Sequence, residues 1–420
     1  MIVAKSLSAP PVPRMSRKKR GSPPSMFAIL SNFRKALRPL AGLAAAAALA
    51  ACDPSALTNI GGGGDGPRIN TAKPIPVALL VPQSDQGAAP IATSLENAAR
   101  LAMADLGEGV TIDLRVYDTG GQAPAAAAAA QKAVDEGAKI ILGPLRADAV
   151  NAAGLAVADE GVNVLGFSNN PTIAGGNVFI LGATFDNTAR RMMDHARRNG
   201  KSNMVVIYSE DVAGQLGKLA IEKAATEYGV NIVGSQGYQL SIEGVSAAAS
   251  AAGRVVSSGA ADSIFITTAA SNEAMPILLD RLPGAGVDPA QVQYIGLTRW
   301  DVRPDLFGLP ASDGAWFAVP NVARLESFSG RYNSTYGTAP HPLAGLAYDG
   351  ISAIGTLAAQ GRNDALSATA LTSTGFTGTG GVFRLMSNGA NQRALAVATV
   401  KDKKMVILDP APSSLTGGGL

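Results

Sequence analysis

The chain has 420 residues with 35 Lys+Arg against 32 Asp+Glu, and this charge is unevenly placed. Nine of the bases and none of the acids lie in residues 1–51, which leaves 26 bases against 32 acids, a net of −6, on everything that follows and excludes a basic nucleic-acid-binding body. Two His and one Cys exclude a His/Cys metal site and an intrachain disulfide, while 47% apolar residues can fill a sizeable globular core.

Residues 1–51 read as a leader. Within it Met26 is expected to be the true initiator, because residues 1–25 have no role in a secretory signal. Arg34, Lys35 and Arg38 form a positive region, and residues 39–51 form an apolar run of 13 residues, shorter than the roughly 20 that span a membrane. The run ends in Leu49-Ala50-Ala51-Cys52, which resembles the lipobox of bacterial lipoproteins. That resemblance implies cleavage before Cys52 and a diacylglyceryl group on its thiol. Two or three acyl chains anchor stably, at about 0.8 kcal/mol per buried CH₂. Residues 53–74 then read as a linker, flexible through Gly61-Gly62-Gly63-Gly64, that holds the body off the membrane. Inner and outer membrane both remain open as the anchor's location.

From Pro76 short apolar runs alternate with helical patterns. The runs are 77–81, 112–117, 140–143, 163–167, 204–208, 232–233, 263–266 and 294–297. Continuous Val/Ile/Leu runs suit strands buried on both faces of a parallel sheet. Residues 91–106 place Ile91, Leu95, Ala98, Ala99, Ala102 and Leu106 on one helical face, and the Ala-rich stretch 123–135 is strongly helix-forming. Repeated βαβ units predict α/β architecture with doubly wound parallel sheets. The body is too long for one sheet, so two lobes joined by hinge crossovers are expected. The first takes 75–186 and 317–377, and the second takes 187–316 and 380–408. Residues 317–377 read as mainly helical, 380–408 as a hairpin turning at Asn388-Gly389, and 411–420 as a flexible tail.

This two-lobed order resembles the type 1 periplasmic binding proteins, specifically the leucine-binding family, over about residues 75–410. The motifs are Ile75-Pro76-Val77-Ala78-Leu79-Leu80-Val81-Pro82, Ile140-Ile141-Leu142-Gly143-Pro144-Leu145 and Val164-Leu165-Gly166-Phe167-Ser168-Asn169-Asn170-Pro171. Gly314-Ala315-Trp316-Phe317-Ala318-Val319-Pro320 and Leu408-Asp409-Pro410-Ala411-Pro412 add to them. The Gly-Pro-Leu and Ser-Asn-Asn-Pro stretches look most like one branch, the lipoproteins called penicillin-binding protein activators. That branch implies a non-catalytic envelope protein whose partner is a peptidoglycan synthase. The long helical-repeat domain of the enteric activators has no counterpart before residue 75. The alternative is the substrate-binding protein of an ABC importer, with a permease as partner and an amino acid or related small polar solute as ligand.

Ligands of open parallel sheets meet the loops beyond the carboxyl ends of the strands. Those loops hold Gln83, Ser84, Arg146, Ser168, Asn169 and Asn170 in the first lobe, and Glu210, Asp211, Thr267, Thr268, Thr298, Arg299 and Trp300 in the second. Tyr348 and Asp349 are expected to close the first lobe's side. Hydroxyls and amides suit a carboxylate, and Asp or Glu suits an ammonium group. Amino-acid receptors of the resembled family carry a Ser/Thr-rich turn where this chain has Pro144-Leu145-Arg146-Ala147-Asp148, so that cradle is weakened. Arg146 can hold a carboxylate or phosphate bidentately, or can pair beside Asp148. Ser168 to Pro171 can equally be a plain turn, Asp211 a helix cap, and Trp300 a packing residue. Catalytic patterns are poor: Gly166-Phe167-Ser168-Asn169-Asn170 lacks the final Gly of a nucleophile elbow, and the chain after Cys52 has no Ser-x-x-Lys. No cofactor is implied, since the glycine cluster at 61–64 has no Lys-Ser/Thr to make a phosphate loop. His195 and His341 are isolated in sequence. Arg190, Arg191, Arg197, Arg198 and Lys201 form one dense basic patch, either a solvated helix face or a surface for an acidic partner or anionic lipid.

Overall fold

The computed structural model describes residues 66–415, so the leader and Cys52 lie outside it. The alternation read from sequence folds into two doubly wound lobes. The first begins β1 (Ile75–Val81), α1 (Ala89–Ala104), β2 (Ile112–Asp118), α2 (Ala123–Asp135), β3 (Ile140–Leu142), α3 (Ala147–Ala156), β4 (Val164–Gly166) and β5 (Val178–Ile180). Its five strands are parallel in the order β2-β1-β3-β4-β5. The second lobe contains α4 (Phe185–Arg198), β6 (Asn203–Ser209), α5 (Val212–Tyr228), β7 (Asn231–Tyr238), α6 (Ile242–Ser257), β8 (Ser263–Ile266), α7 (Ala274–Gly284), β9 (Gln293–Gly296) and β10 (Trp316–Val319). The chain then returns to the first lobe as α8 (Val322–Tyr336), α9 (Ala344–Ala358), α10 (Ala368–Ser373), β11 (Gly375–Gly378), β12 (Gly381–Leu385) and β13 (Asn391–Arg393). Finally β14 (Ala396–Lys401) and β15 (Lys404–Asp409) complete a seven-stranded sheet, β15-β14-β10-β9-β8-β6-β7, in which these two strands run antiparallel.

Both sheets are covered on two faces, which is why their central strands are continuously apolar. Leu79, Leu142 and Leu165 face α1 and α9, whereas Leu80, Ile141 and Val164 face α2 and α3. The Ala-rich α2 buries Ala126, Ala129, Ala130 and Ala133, whose small side chains let the helix lie close on the sheet. Polar residues start several helices: Asp211, Ser241 and Asn321 accept the N–H of Gly214, Gly244 and Arg324 at 2.7, 2.9 and 3.1 Å.

Four expectations are corrected. Residues 317–319 were expected to open the mainly helical return to the first lobe, but Trp316-Phe317-Ala318-Val319 is a strand of the second sheet, paired with β9 and β14. The crossing comes after Pro320. Residues 380–393 were assigned to the second lobe, but β12 and β13 turn at Asn388-Gly389 and bury Phe383 and Leu385 in the first lobe's core. Gly389 has φ +79°, and a Cβ there would meet the Val178 carbonyl at 2.3 Å. The linker is not free throughout: Ile69 is buried in the first core and donates its N–H to the Asn363 carbonyl at 2.8 Å. Nor is the tail free at its start. Ala411 packs on the second core, and Ser413 to Leu415 line an open groove of about 390 Å³ with residues 372–377 and 382–384.

Candidate functional site

The site is located by the crossings. β5 ends at Ile180 and α4 of the other lobe begins at Phe185; β10 ends at Val319 and α8 of the first lobe begins at Val322. Both crossings leave the carboxyl ends of strands. Because β1 to β5 run parallel, as do β6 to β10, the loops after β1, β3 and β4 and those after β6, β8 and β9 open on this same interlobe side.

A buried polar cluster holds the crossings together. Asp349, 1% exposed, accepts the Thr379 N–H at 2.7 Å, the Thr379 hydroxyl at 3.0 Å and the Arg393 Nη1–H at 2.9 Å. Arg393 Nε donates to the Leu181 carbonyl at 3.2 Å. Asn391 donates to the carbonyls of Ile180 and Gly182 at 2.7 and 2.8 Å. Asn187, from the second lobe, donates to Asn391 Oδ1 at 2.7 Å and accepts the Arg393 N–H at 3.0 Å. Asp349 is thus a hinge residue rather than a wall of the cleft. Asn187, Thr379, Asn391 and Arg393 were not singled out in the sequence, where they sit among polar and glycine neighbours that give no signal of burial.

Tyr348 is also placed elsewhere. Its hydroxyl donates to Asp105 at the carboxyl end of α1, where Arg331 binds the same carboxylate. The end of α1 lies at the amino-terminal edge of the sheet, away from the interlobe side. Burial acts to raise the Asp105 pKa, but hydrogen bonds from Arg331 and Tyr348 bring it below the usual value.

The first-lobe loops are largely engaged with themselves. Gln83 reaches Glu96 at 3.4 Å, and the Ser84 N–H donates to Asp118 at 3.1 Å. Arg146 pairs with Asp85 at 2.6 Å, not with Asp148, and also approaches the Gly121 carbonyl at 3.4 Å. Gly143, with φ +85°, brings β3 so near β1 that a Cβ would lie 2.3 Å from the Leu80 carbonyl. Ser168 is buried and its hydroxyl accepts the Asn170 N–H at 3.1 Å. Asn170 in turn accepts the N–H and hydroxyl of Thr172 at 3.0 and 2.8 Å, so both serve a turn. Asn169 is exposed and has no side-chain hydrogen bond among the described residues.

In the second lobe Asp211 caps α5, and Glu210 is exposed beside it. The Thr268 hydroxyl bonds Tyr238, and Thr298 donates to the Thr268 carbonyl at 3.2 Å. Thr267, 5% exposed, has a hydroxyl with no partner among the described residues. Arg299 is paired with Asp301. Trp300 is fully buried and stacks on Phe317 at 5.9 Å, filling the space over Gly296, where a Cβ would meet its Nε1 at 2.4 Å. It is a packing residue and not a cover for ligand. Strand direction thus places the Arg146–Asp85 pair and Asn169 of the first lobe, and Glu210, Thr267, Thr268 and Thr298 of the second, on strand-end loops of the interlobe side, while Trp300, Tyr348 and Asp349 are engaged elsewhere. Among the described residues no group of three or more His, Cys, Asp or Glu can hold a metal ion.

The sequence from 74 to 404 matches the family model described as periplasmic binding protein. No curated protein sequence matches the chain. Solved structures share the fold at low identity. A putative branched-chain amino acid ABC transporter protein from Rhodospirillum rubrum is 18% identical, with a TM-score of 0.67, over 80% of this chain and all of its own. An ABC transporter substrate-binding protein from Desulfitobacterium hafniense, in complex with Leu, is 19% identical, with a TM-score of 0.58, over 80% of this chain and all of its own. A solute-binding protein of an ABC transporter from R. palustris, in complex with benzoate, is 18% identical, with a TM-score of 0.51, over 82% of this chain and 98% of its own. With its two parallel sheets, hinged crossings and matched span, the chain belongs to the periplasmic binding protein family.

Proposed function

We propose that this protein is a non-enzymatic, periplasmic substrate-binding protein of an ABC importer, which captures a small polar solute by closing its two lobes. The observation that carries this reading is the convergence of polar strand-end loops from both lobes beside a hydrogen-bonded hinge. The solved structures of the same fold, with leucine and benzoate complexes among them, agree with a carboxylate-bearing solute. The unpartnered Thr267 hydroxyl and the exposed Asn169 amide supply hydrogen bonds to it from opposite lobes, and Arg146 supplies charge by turning from Asp85. Membrane attachment through Cys52 completes the reading.

The test is a thermal-shift screen of amino acids and small carboxylates. A bound solute at 100 times its Kd adds about 2.7 kcal/mol. Thr267→Val should abolish the shift while leaving the unliganded protein as stable as before. Absence of a shift with every solute defeats the proposal.

A second reading, contact with a peptidoglycan synthase, draws on one feature: Ser168, Asn170 and Arg146 are already engaged within the first lobe. The similar structures give it no support. Recovery of a synthase rather than a permease by crosslinking in the envelope would select it.

A further inference from the structure

The basic patch of α4 divides in two. Arg190 pairs with Glu227, Arg191 with Asp409, and Arg198 with Asp194 and Asp409 at 2.8 and 2.9 Å. Arg197 and Lys201 are left with no carboxylate partner among the described residues. The Arg198–Asp409 bond sets the last turn of α4 against β15. The β14–β15 turn that starts this strand carries Lys401, Lys403 and Lys404, all exposed and likewise without a carboxylate partner. Five cations with no carboxylate partner among the described residues thus border one strand of a body whose net charge is negative.

That strand is also apolar where it meets solvent. β15 is the outer strand of its sheet, with no described strand beyond it. Val406, Ile407 and Leu408 are 40, 40 and 47% exposed. Consecutive exposed aliphatics with Lys401, Lys403 and Lys404 at one end, where Asp402 is the one acid, and Arg197 and Lys201 toward the other are a poor solution for a surface that meets only water. They match a surface that is anionic outside and apolar just beneath.

We propose that β15 and its flanking cations form a docking face for an anionic phospholipid bilayer, with the lysines at the headgroups and Val406 to Leu408 settling among them. This face is built independently of the solute cleft. It lies on the edge of the second lobe and its turn is remote from the hinge, since β14 starts beside Val319 and runs away from it.

The test is flotation of the chain from residue 52 onward carrying Cys52→Ser, so that the basic, apolar residues 1–51 are not present to bind vesicles themselves, with vesicles of phosphatidylcholine alone or mixed with phosphatidylglycerol. The variant K401Q/K403N/K404Q removes three charges, and Asn at 403 tolerates the positive φ of 58° found there. At roughly fivefold per lysine, its partitioning onto the mixed vesicles should fall about a hundredfold, with thermal stability unchanged. V406S/I407S/L408S should weaken binding at high salt, where the charge contribution is screened. Equal partitioning of the parent and the lysine variant onto mixed vesicles overturns the proposal. So does lysine-dependent binding of polyglutamate without vesicle binding, which would assign the face to an acidic protein.

Discussion

Thr267 and Asp349 show how burial separates two uses of a polar side chain. The Asp349 carboxylate is fully engaged, and its partner Arg393 is 11% exposed. Breaking a buried pair leaves an uncompensated charge and costs about 3–5 kcal/mol. Asp349→Ala should therefore lower the urea midpoint far more than Asp85→Ala, whose exposed Arg146 pair contributes at most about 1 kcal/mol. Chemical denaturation at neutral pH checks both. Gly296 gives a steric counterpart. Gly296→Ala drives a methyl into the Trp300 indole and should destabilise by about 1–3 kcal/mol. Burial acts to raise the Asp409 pKa, but Arg198 and Arg191 bring it down to about 2. A carboxylate depressed in the folded state stabilises above its unfolded value near 3.9, and that stability is lost as pH falls through about 2. His195, packed edge-on against Trp316 at 4.7 Å, has its pKa lowered by burial and then by Arg191. Its protonation resists folding, so stability falls as pH drops below about 6.5. Asp409→Asn should flatten the more acidic decline and steepen the other, because the Asp409 carboxylate, 3.6 Å from His195 Nδ1, holds the His195 pKa up; urea midpoints across the acid range check both.

The parallel strands were the most legible elements, because strands covered on both sides need unbroken apolar runs. All eight runs read from the sequence become β1 to β4 and β6 to β9. β5 was missed: Val178-Phe179-Ile180 is three residues long and follows Gly175-Gly176, which reads as loop. β10 was quoted as a motif but not as a strand, since its lobe is set by pairing with β14, some 80 positions away in the chain. The hairpin at Asn388-Gly389 was legible, but its lobe was not. Alternation shows that one face is buried and cannot say against what. The same limit applies to the cleft. Strand-end loops follow from topology, whereas the Arg146–Asp85 pair and the Ser168 turn depend on side-chain partners distant in sequence or on local backbone geometry. α4 illustrates this most fully: a run of bases in sequence becomes three paired arginines and two free cations once Glu227, Asp194 and Asp409 are placed.

As a whole, the chain joins an acidic two-lobed unit to residues 1–51, which supply its positive balance. If Cys52 carries the anchor, cells labelled with a radioactive fatty acid should show the protein as a labelled band in the membrane fraction. Cys52→Ser should lose the label and shift the protein toward the soluble fraction; unchanged labelling would place the modification elsewhere. The hinge cluster has a mechanical consequence. Asp349, Thr379, Asn391 and Arg393 all belong to the first lobe; Asn391 and the Asp349-held Arg393 grip the Ile180, Leu181 and Gly182 carbonyls before the chain departs. The first lobe is therefore the stator, and the clamp ends at residue 182. The segments between elements at the three crossings are short, residues 181–184, 320–321 and 394–395, and the lobe closure proposed above would have to be taken up there. The Asn187–Asn391 bond, which spans the two lobes, is then the first contact that a change of angle must stretch.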